Sequence, residues 1–239
     1  MNGLIFDYGG TLDTNGVHWF FMFKEAYLAC RIDIDEGVLR SVYVQTERAL
    51  EQGKHIWPAD SFYSVLQKKT AFHKLFLKET YSIDISQDKL NSVTNYCYMR
   101  VKNNIERITV PVLDICAQQA RLVLVSNFYG NLETVLSEFG LKKYFYSIVE
   151  SAQVGIRKPD AGIFKIGARS FPPSVNPVVV GDSYKNDIAP ALSLGMRAVW
   201  LKVDGYQWNE TENVETPHPH RISTLSEIVD LLPQLLESK

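Results

Sequence analysis

Hydrophobic and polar positions follow one pattern in the first half of the chain and another in the second half. From residue 15 to about 108, apolar side chains recur every three or four positions, which is the spacing of amphipathic helices. After about residue 110, short continuous apolar runs alternate with helical stretches, a pattern typical of strands covered on both faces. The chain therefore predicts a helical segment followed by an α/β segment.

The helical segment divides into four predicted helices. Residues that cap or stop helices mark their ends, such as Gly53 after the second helix. The predicted helices are Val17–Cys30, one that begins at Asp35 and stops at Gln52-Gly53, Asp60–Thr80, and one that begins at Ser86 with Val101 on its inner face. We expect them to pack together as an all-helical unit.

Six short apolar runs predict the strands of a parallel sheet. They are Gly3–Phe6, Leu122–Val125, Tyr146–Val149, Val178–Val180, Ala198–Leu201 and Arg221–Ser223. The helices predicted around them are Pro111–Ala120, Asn131–Phe139, Asp160–Phe171, Ile188–Leu194 and Leu225–Leu236, and Asp204–Pro219 is predicted to be a polar surface loop. The first strand must join this sheet across the helical segment. We therefore predict a doubly wound, parallel, Rossmann-like α/β core (residues 1–14 and 109–239) with an inserted all-helical cap domain (residues 15–108).

Polar residues follow the first four predicted strands. Asp7 follows the first, Ser126 and Asn127 follow the second, Lys158 lies in the loop after the third, and residues 181–187 (Gly-Asp-Ser-Tyr-Lys-Asn-Asp) follow the fourth. Ligands of parallel sheets bind beyond the carboxyl ends of the strands, so we expect these groups to meet at one edge. Carboxylates with a lysine and a hydroxyl suit phosphoryl transfer, because a cation such as Mg²⁺ offsets the repulsion between a carboxylate nucleophile and a phosphate.

The order of these motifs resembles that of the haloacid dehalogenase (HAD) superfamily. Residues 4–12, Leu-Ile-Phe-Asp-Tyr-Gly-Gly-Thr-Leu, are similar to its first motif D-x-D-G-T-L, and residues 181–187 are similar to its fourth motif G-D-x-x-x-N-D. The resemblance covers residues 3–12 and about 109–201. It implies a hydrolase of the phosphatase-like branch, dependent on Mg²⁺ and carrying a helical cap.

The resemblance also implies a role for each matching residue. Asp7 would form an aspartyl-phosphate intermediate, and Lys158 would orient both Asp7 and the phosphate. The implied substrate- and phosphate-binding residues are Ser126, Asn127, Gly10 and Thr11, to which we add His18 at the start of the first cap helix. The implied Mg²⁺ ligands are Asp7, the backbone carbonyl of Gly9, Asp182 and Asp187.

Gly9 departs from the family pattern, which has an Asp at this position. In the family's phosphatases that Asp protonates the leaving group and then activates water. General acid–base catalysis contributes about 10²–10⁴-fold, so its loss requires a substitute or a special substrate. The candidate substitutes are Asp13, His18, and Lys54 or His55 of the turn after the second cap helix.

Three functional hypotheses follow. The first is a Mg²⁺-dependent phosphohydrolase of a small organic phosphate. The second is a phosphonatase-like C–P bond hydrolase in which Lys54 forms a Schiff base, and the third is a catalytically impaired protein that binds a phosphate metabolite. Asp182 speaks against dehalogenation, because the family's dehalogenases lack this metal-binding acid. Trp57, between two cap helices, is the aromatic residue predicted to face the substrate.

Composition restricts the expected partners. The net charge of −2 gives no global basic field for nucleic acid or a membrane surface. We expect no signal peptide, because Asp7 interrupts the first apolar stretch, Leu4–Phe6, and no apolar run approaches the roughly 20 residues of a membrane span. Three cysteines without a C-x-x-C motif predict buried thiols in a reducing compartment. We expect a cytoplasmic monomer or homodimer that acts on a small-molecule phosphate.

Overall fold

The computed structural model describes residues 2–208 and 220–236, and a parallel sheet is at its centre. The strands are β1 Asn2–Phe6, β2 Ala120–Ser126, β3 Phe145–Glu150, β4 Val178–Gly181, β5 Arg197–Leu201 and β6 His220–Ile222. Their order across the sheet is β3-β2-β1-β4-β5-β6, and every neighbouring pair is parallel. Strand β1 therefore joins the sheet between β2 and β4, as predicted.

Ten α-helices lie in the described part of the chain. They are α1 Trp19–Ala29, α2 Glu36–Gln52, α3 Phe62–Tyr81, α4 Gln87–Asn104, α5 Val110–Gln119, α6 Leu132–Glu138, α7 Ser151–Val154, α8 Gly162–Ala168, α9 Ala189–Ser193 and α10 Ile228–Leu236. The predicted caps of two cap helices are confirmed, because the side chain of Asp35 accepts from the backbone N–H of Val38 and that of Ser86 accepts from Lys89. Helix α2 ends at Gln52, as the following glycine predicted.

Helices cover both faces of the sheet. Leu4 and Phe6 of β1 pack in one apolar cluster with residues of α5 and α10, whereas Ile5 packs in a second cluster with residues of α8 and α9. Successive side chains of a strand point to opposite faces, so these two clusters lie on opposite sides of the sheet. The predicted doubly wound α/β architecture is confirmed.

Helices α1 to α4 pack against one another and extend the cluster on the Leu4 side of the sheet. Phe23 of α1, Leu66 of α3 and Leu90 of α4 belong to that cluster. A turn of π-helix, Ile105–Thr109, joins α4 to α5, so helical structure runs from residue 87 to 119 without an intervening loop. The division into core and cap at residues 108 and 109 stays a prediction.

Two predicted helices begin elsewhere than expected. Asp160 does not cap α8, because residues 157–160 form a turn and its Oδ1 instead accepts from the N–H of Gly162 at 2.7 Å. The helix predicted from Ile188 is preceded by a π-helical turn, Tyr184–Ile188, so the fourth motif is itself helical. The predicted loop Asp204–Pro219 lies outside the described residues from position 209 onward.

Two expectations from composition can be compared with the described residues. Cys97 and Cys116 are buried and Cys30 is half-buried, and all three are free thiols. Within residues 2–208 and 220–236, no helix combines the length and the apolar character needed to cross a bilayer.

Candidate active site

Three carboxylates meet where two neighbouring strands end. Asp7 directly follows β1, Asp182 directly follows β4, and Asp187 lies in the π-helical turn after β4. All three are buried, and one oxygen atom from each lies within 4.8 Å of the others. Because β1 and β4 are adjacent and parallel, their carboxyl ends bring together residues 175 positions apart in the chain.

Lys158 and Ser126 complete the cluster from the other side of β1. Lys158 Nζ donates to Asp7 Oδ1 and to Asp187 Oδ1, each at 2.6 Å, and Ser126 Oγ donates to Asp7 Oδ1 at 3.1 Å. Asn127 pairs with the backbone of Lys158: its Oδ1 accepts from the Lys158 N–H at 2.9 Å and its Nδ2 donates to the Lys158 carbonyl at 3.1 Å. Asn127 therefore holds the lysine in place.

The cluster carries more negative than positive charge. Burial, together with the neighbouring Asp7 and Asp187, raises the pKa of Asp182 well above its ordinary value. Burial raises the pKa of Asp187 to about 6 although Lys158 opposes this shift. Burial opposes the charge of Lys158, but Asp187 and Asp7 outweigh it and raise the pKa of the lysine. One lysine among three carboxylates leaves an excess that a divalent cation would neutralise, and carboxylate oxygens are the ligands that Mg²⁺ prefers.

The loop after Asp7 contains two glycines and a buried threonine. A Cβ atom at Gly9 would meet no other atom within 4 Å, whereas at Gly10, whose φ is +94°, it would lie 2.4 Å from an Asp182 oxygen. Thr11 Oγ1 donates to Asp182 Oδ1 at 3.0 Å and to Asp7 Oδ2 at 3.3 Å. The hydroxyl of Thr11 thus links two carboxylates, and its contact with a phosphate stays a prediction.

A cavity of about 480 Å³ extends from this cluster to the helices above it. This volume is within the range of pockets for small organic ligands. The lining residues from the sheet edge include Asp7, Gly9, Gly10, Ser126, Asn127, Lys158, Asp182 and Asp187. The lining residues from α1, α2 and α3 are Trp19, Tyr43, Glu47, Phe62, Val65, Leu66 and Lys69.

Asp13 is a further buried acid that lines the cavity. Only 1% of its surface is exposed, and its carboxylate accepts from the Gly10 N–H at 2.6 Å and from Trp19 Nε1 at 2.9 Å. Burial raises the pKa of Asp13 to about 7, although both hydrogen bonds oppose the shift. Asp13 is therefore the carboxyl group beside the first motif that can gain or lose a proton near neutral pH.

The other candidates for proton transfer stand in less suitable surroundings. His18 lines the cavity, but its Nδ1 accepts from the Phe20 N–H, and burial with nearby Lys69 lowers the pKa of His18 to about 3. The imidazole therefore stays neutral at pH 7. Lys54 and His55 are exposed and are absent from the cavity lining described here.

Sequence reasoning missed the residues that the helices present to the cavity. Trp57 is 62% exposed and does not line the cavity, so the expectation that it faces the substrate is wrong; its turn points outward, and Trp19 supplies the indole instead. Lys69 of α3 and Glu47 of α2 line the cavity. Lys69 lies three residues after Leu66, on the apolar face of α3. A charged residue on an apolar helix face could have indicated from the sequence that Lys69 has a special role.

Comparison with known proteins agrees with the fold and the motifs. A family model described as HAD-hydrolase-like matches residues 155–228. Haloacid dehalogenase-like hydrolase domain-containing protein 3 of Xenopus laevis is 30% identical over 132 residues, which are 53% of this chain and 51% of that protein. Pyrimidine 5′-nucleotidase YjjG of Escherichia coli is 30% identical over 95 residues, 38% of this chain and 42% of that protein. The chain thus spans about half the length of the curated relatives it matches.

Solved structures with the same fold cover nearly the whole chain. The magnesium-bound YfnB protein of Bacillus subtilis has a TM-score of 0.59 at 19% identity and covers 97% of this chain and 98% of its own. A HAD phosphatase from Thermococcus onnurineus has a TM-score of 0.55 at 21% identity, with coverage of 97% and 98%. The motif residues meet at one edge of a doubly wound sheet. In this fold and in these motifs the chain is similar to hydrolases of the haloacid dehalogenase superfamily.

Proposed function

We propose that the protein is a Mg²⁺-dependent phosphohydrolase that cleaves a small organic phosphate monoester through an aspartyl phosphate on Asp7. The observation that carries this proposal is the buried cluster of Asp7, Asp182, Asp187 and Lys158 at the base of a cavity sized for a small ligand. Two relatives support the substrate class: YjjG is a pyrimidine 5′-nucleotidase, and YigB of Escherichia coli, 24% identical over 142 residues, is a 5-amino-6-(5-phospho-D-ribitylamino)uracil phosphatase.

Different residues of the cluster would bind the metal ion and the phosphate. Asp7, Asp182, Asp187 and the carbonyl of Gly9 would hold Mg²⁺, which would supply positive charge against the phosphate. Lys158 neutralises Asp7 and faces the cavity, so it can also approach a phosphate oxygen. Ser126, whose hydroxyl contacts Asp7, is positioned to donate to another phosphate oxygen. The four helices α1 to α4 act as a cap that excludes water from the cavity.

Asp13 replaces the acid that Gly9 lacks. A carboxylate oxygen of Asp7 attacks phosphorus, the bond to the leaving oxygen breaks, and the Asp13 carboxyl gives its proton to that oxygen. Water then attacks phosphorus, passes a proton to the Asp13 carboxylate, and the bond between phosphorus and Asp7 breaks to release phosphate. A pKa of about 7 suits both proton transfers, because the best acid–base catalyst has a pKa near the working pH.

The described lysines of the cap helices do not suit the phosphonatase alternative. Lys54 is exposed and outside the cavity lining, and Lys69 is the cap lysine that lines the cavity. Burial opposes the charge of Lys69, but Glu47 outweighs burial and raises the pKa of the lysine. A protonated amine cannot attack a carbonyl, so the geometry favours phosphate-ester hydrolysis over Schiff-base chemistry.

The nucleophile is tested by comparing wild type with Asp7→Asn on acetyl phosphate and on p-nitrophenyl phosphate in the presence of Mg²⁺. We expect turnover by wild type and none by the variant, because an amide oxygen forms no stable phosphoester. Wild type that binds phosphate esters with Mg²⁺ but turns over neither compound would instead support a sensing protein. Equal turnover by both proteins would overturn Asp7 as the nucleophile.

The role of Asp13 is tested with an alkyl phosphate, whose leaving group needs a proton. We expect Asp13→Asn to lower the single-turnover rate by about 10²–10⁴-fold. Gly9→Asp should fit, since the space beside Gly9 is open, and should restore much of the rate in the double variant Gly9→Asp/Asp13→Asn. A merely structural role of Asp13 predicts no such rescue, and an unchanged rate in Asp13→Asn would exclude it as the acid.

A further inference from the structure

A second ionic cluster lines the same cavity on the side of the helices. Lys69 Nζ of α3 donates to Glu47 Oε1 of α2 at 2.6 Å, and the hydroxyl of Tyr129, in the loop after β2, donates to Glu47 Oε2. Only 6% of Lys69 is exposed. The motifs and mechanism described above do not use these residues, although all three face the cavity.

Aromatic rings surround this cluster. The ammonium of Lys69 lies 5.5 Å from the ring centre of Trp19 and 5.2 Å from that of Tyr129. Tyr43, Phe62 and Phe128 also line the cavity, so a ligand beside Lys69 would contact flat apolar surfaces. Such surfaces favour a planar ring or the apolar face of a sugar over an extended polar chain.

The ion pair has unused hydrogen-bond donors but no net charge. An ammonium carries three N–H groups, and Glu47 is the hydrogen-bond acceptor that Lys69 contacts within the described residues. A neutral acceptor such as a carbonyl, amide or hydroxyl oxygen can therefore bind a free N–H of Lys69. An anion is disfavoured there, because the pair supplies no net positive charge to offset the loss of its hydration.

The ionic cluster is connected to the reacting groups through one side chain. Trp19 donates from Nε1 to Asp13 and presents its ring to Lys69. Asp7, Asp13, Trp19 and Lys69 all line this cavity, so a leaving group that extends from a phosphate at Asp7 into the cavity can contact these residues. Recognition of that group and its protonation would occur in adjoining parts of one cavity.

We propose that Lys69, Glu47 and Tyr129 form the recognition site for the leaving group, and that the substrate is a phosphate monoester whose alcohol carries a ring with an uncharged hydrogen-bond acceptor. This inference rests on the proposed phosphohydrolase function. It disfavours substrates that place a carboxylate or a second phosphate beside Lys69.

Two benzyl phosphates of nearly equal shape test the charge preference. They carry a carboxamide or a carboxylate at the para position, and both have the same type of leaving oxygen. We expect wild type to favour the carboxamide by about 10–100-fold in kcat/KM, because the carboxylate meets a pair without net charge. Glu47→Gln leaves Lys69 unpaired, so it should shift the preference toward the carboxylate by at least about tenfold. The double variant Glu47→Gln/Lys69→Met should lose most of the preference.

Lys68→Met is the matched control. Lys68 is next to Lys69 on α3 and pairs with Asp60, but it does not belong to the cavity lining described above, so its loss should leave the preference unchanged. Tyr129→Phe, a milder change, removes the donor to Glu47 and should weaken the preference without removing it. A thermal melt of each variant, compared with wild type, checks that it is folded.

Acetyl phosphate separates the two proposals, because it has no ring to reach Lys69. Wild type and the control Lys68→Met should hydrolyse it at equal rates. If wild type hydrolyses none of the compounds, the proposed function fails. If wild type hydrolyses acetyl phosphate but Glu47→Gln, the double variant and Tyr129→Phe all keep the wild-type ratio for the benzyl pair, the recognition site is wrong.

Discussion

Gly9 and Gly10 are neighbours in the first motif but have different surroundings. Gly9 has open space where a side chain would begin, whereas Gly10 adopts a φ of +94° and faces the carboxylate of Asp182. Gly10 also donates its N–H to Asp13, the acid assigned above to proton transfer. Glycine at position 9 therefore removes an acidic group from a position that has room for one. Glycine at position 10 is required because the loop has no room there for a side chain.

Gly10→Ala should be far more damaging than Gly9→Ala. A methyl group at position 10 would lie 2.4 Å from an Asp182 oxygen, in a backbone conformation that L-residues rarely adopt, and would displace the carboxylate that we propose binds Mg²⁺. We expect a loss of about 1–3 kcal/mol in the free energy of unfolding, with loss of Mg²⁺-dependent turnover. Urea unfolding and phosphatase assays measure both effects. Equal stability of the two variants would contradict this explanation.

Asp13 should make stability depend on pH in the direction opposite to that of an ion-paired carboxylate, whose pKa is lowered on folding. Its pKa is raised from 3.8 to about 7, so between these values the folded protein binds a proton that the unfolded chain releases. Wild type should therefore lose stability relative to Asp13→Asn as pH rises from about 4 to 7, by up to about 4 kcal/mol. Urea unfolding without divalent cations measures the difference. Asp114→Asn, at an exposed position, is the control. If the difference in free energy of unfolding between wild type and Asp13→Asn stays constant with pH, Asp13 is not protonated in the folded protein at neutral pH.

Residues at the end of α4 and in the π-helical turn before α5 hydrogen-bond the backbone of the loop after Asp7. Thr109 Oγ1 donates to the carbonyl of Leu12 at 2.6 Å. Asn104 Nδ2 donates to the carbonyls of Leu12 and Asp13 at 3.2 and 3.0 Å. These bonds hold the segment that carries Asp13 against the element that returns the chain to the sheet.

Thr109→Val should test the strength of this connection. It keeps the shape of the side chain but removes one of the two donors to the Leu12 carbonyl, so we expect a loss of about 0.5–1.5 kcal/mol in the free energy of unfolding. Ser137→Ala is the control, because that exposed hydroxyl donates to a carbonyl within its own helix and should change stability by less than about 0.5 kcal/mol. If urea unfolding gives similar losses for both substitutions, the buried hydrogen bond of Thr109 stabilises the fold no more than an exposed one does.

The molecule as a whole is arranged around an excess of buried negative charge. Three carboxylates follow β1 and β4, and the one lysine beside them pairs with Asp7 and Asp187. A further buried acid, Asp13, lines the same cavity. Packing of the sheet and its helices must overcome the repulsion among these groups, as the raised pKa of Asp182 indicates. A bound divalent cation would convert this repulsion into a binding free energy that favours the folded state.

Mg²⁺ should therefore raise the melting temperature of wild type more than NaCl of equal ionic strength does. A ligand that binds only the folded state stabilises it by about 2.7 kcal/mol at 100 times its Kd. Asp182→Asn should lose most of this response because it removes a ligand, whereas exposed Asp114→Asn should keep it. Equal shifts with both salts, or a full response in Asp182→Asn, would argue against a metal site at these carboxylates.

Local patterns in the sequence were sufficient for the sheet and the reactive cluster. Apolar runs identified the strands, and the polar residues directly after them were predicted to meet because parallel strands share one carboxyl edge. Asp7, Ser126, Lys158 and Asp182 do converge there. Asp7, Ser126 and Asp182 lie at or directly after the end of a strand, so the residues next to them in the chain are sufficient to predict their place.

Tertiary packing decided what faces the reactive cluster and how it is charged. Trp57 and Lys54 have side chains suited to a ligand site, but the turn that carries them is exposed and away from the cavity. Lys69 and Glu47 meet beside the cavity because α2 packs on α3. The pKa of Asp13 likewise depends on burial that no local pattern reports. The sequence by itself determined the fold class and the residues at the strand ends. Only the tertiary structure decided the cap face and the protonation of the acid, because both depend on contacts between segments that are distant in the chain.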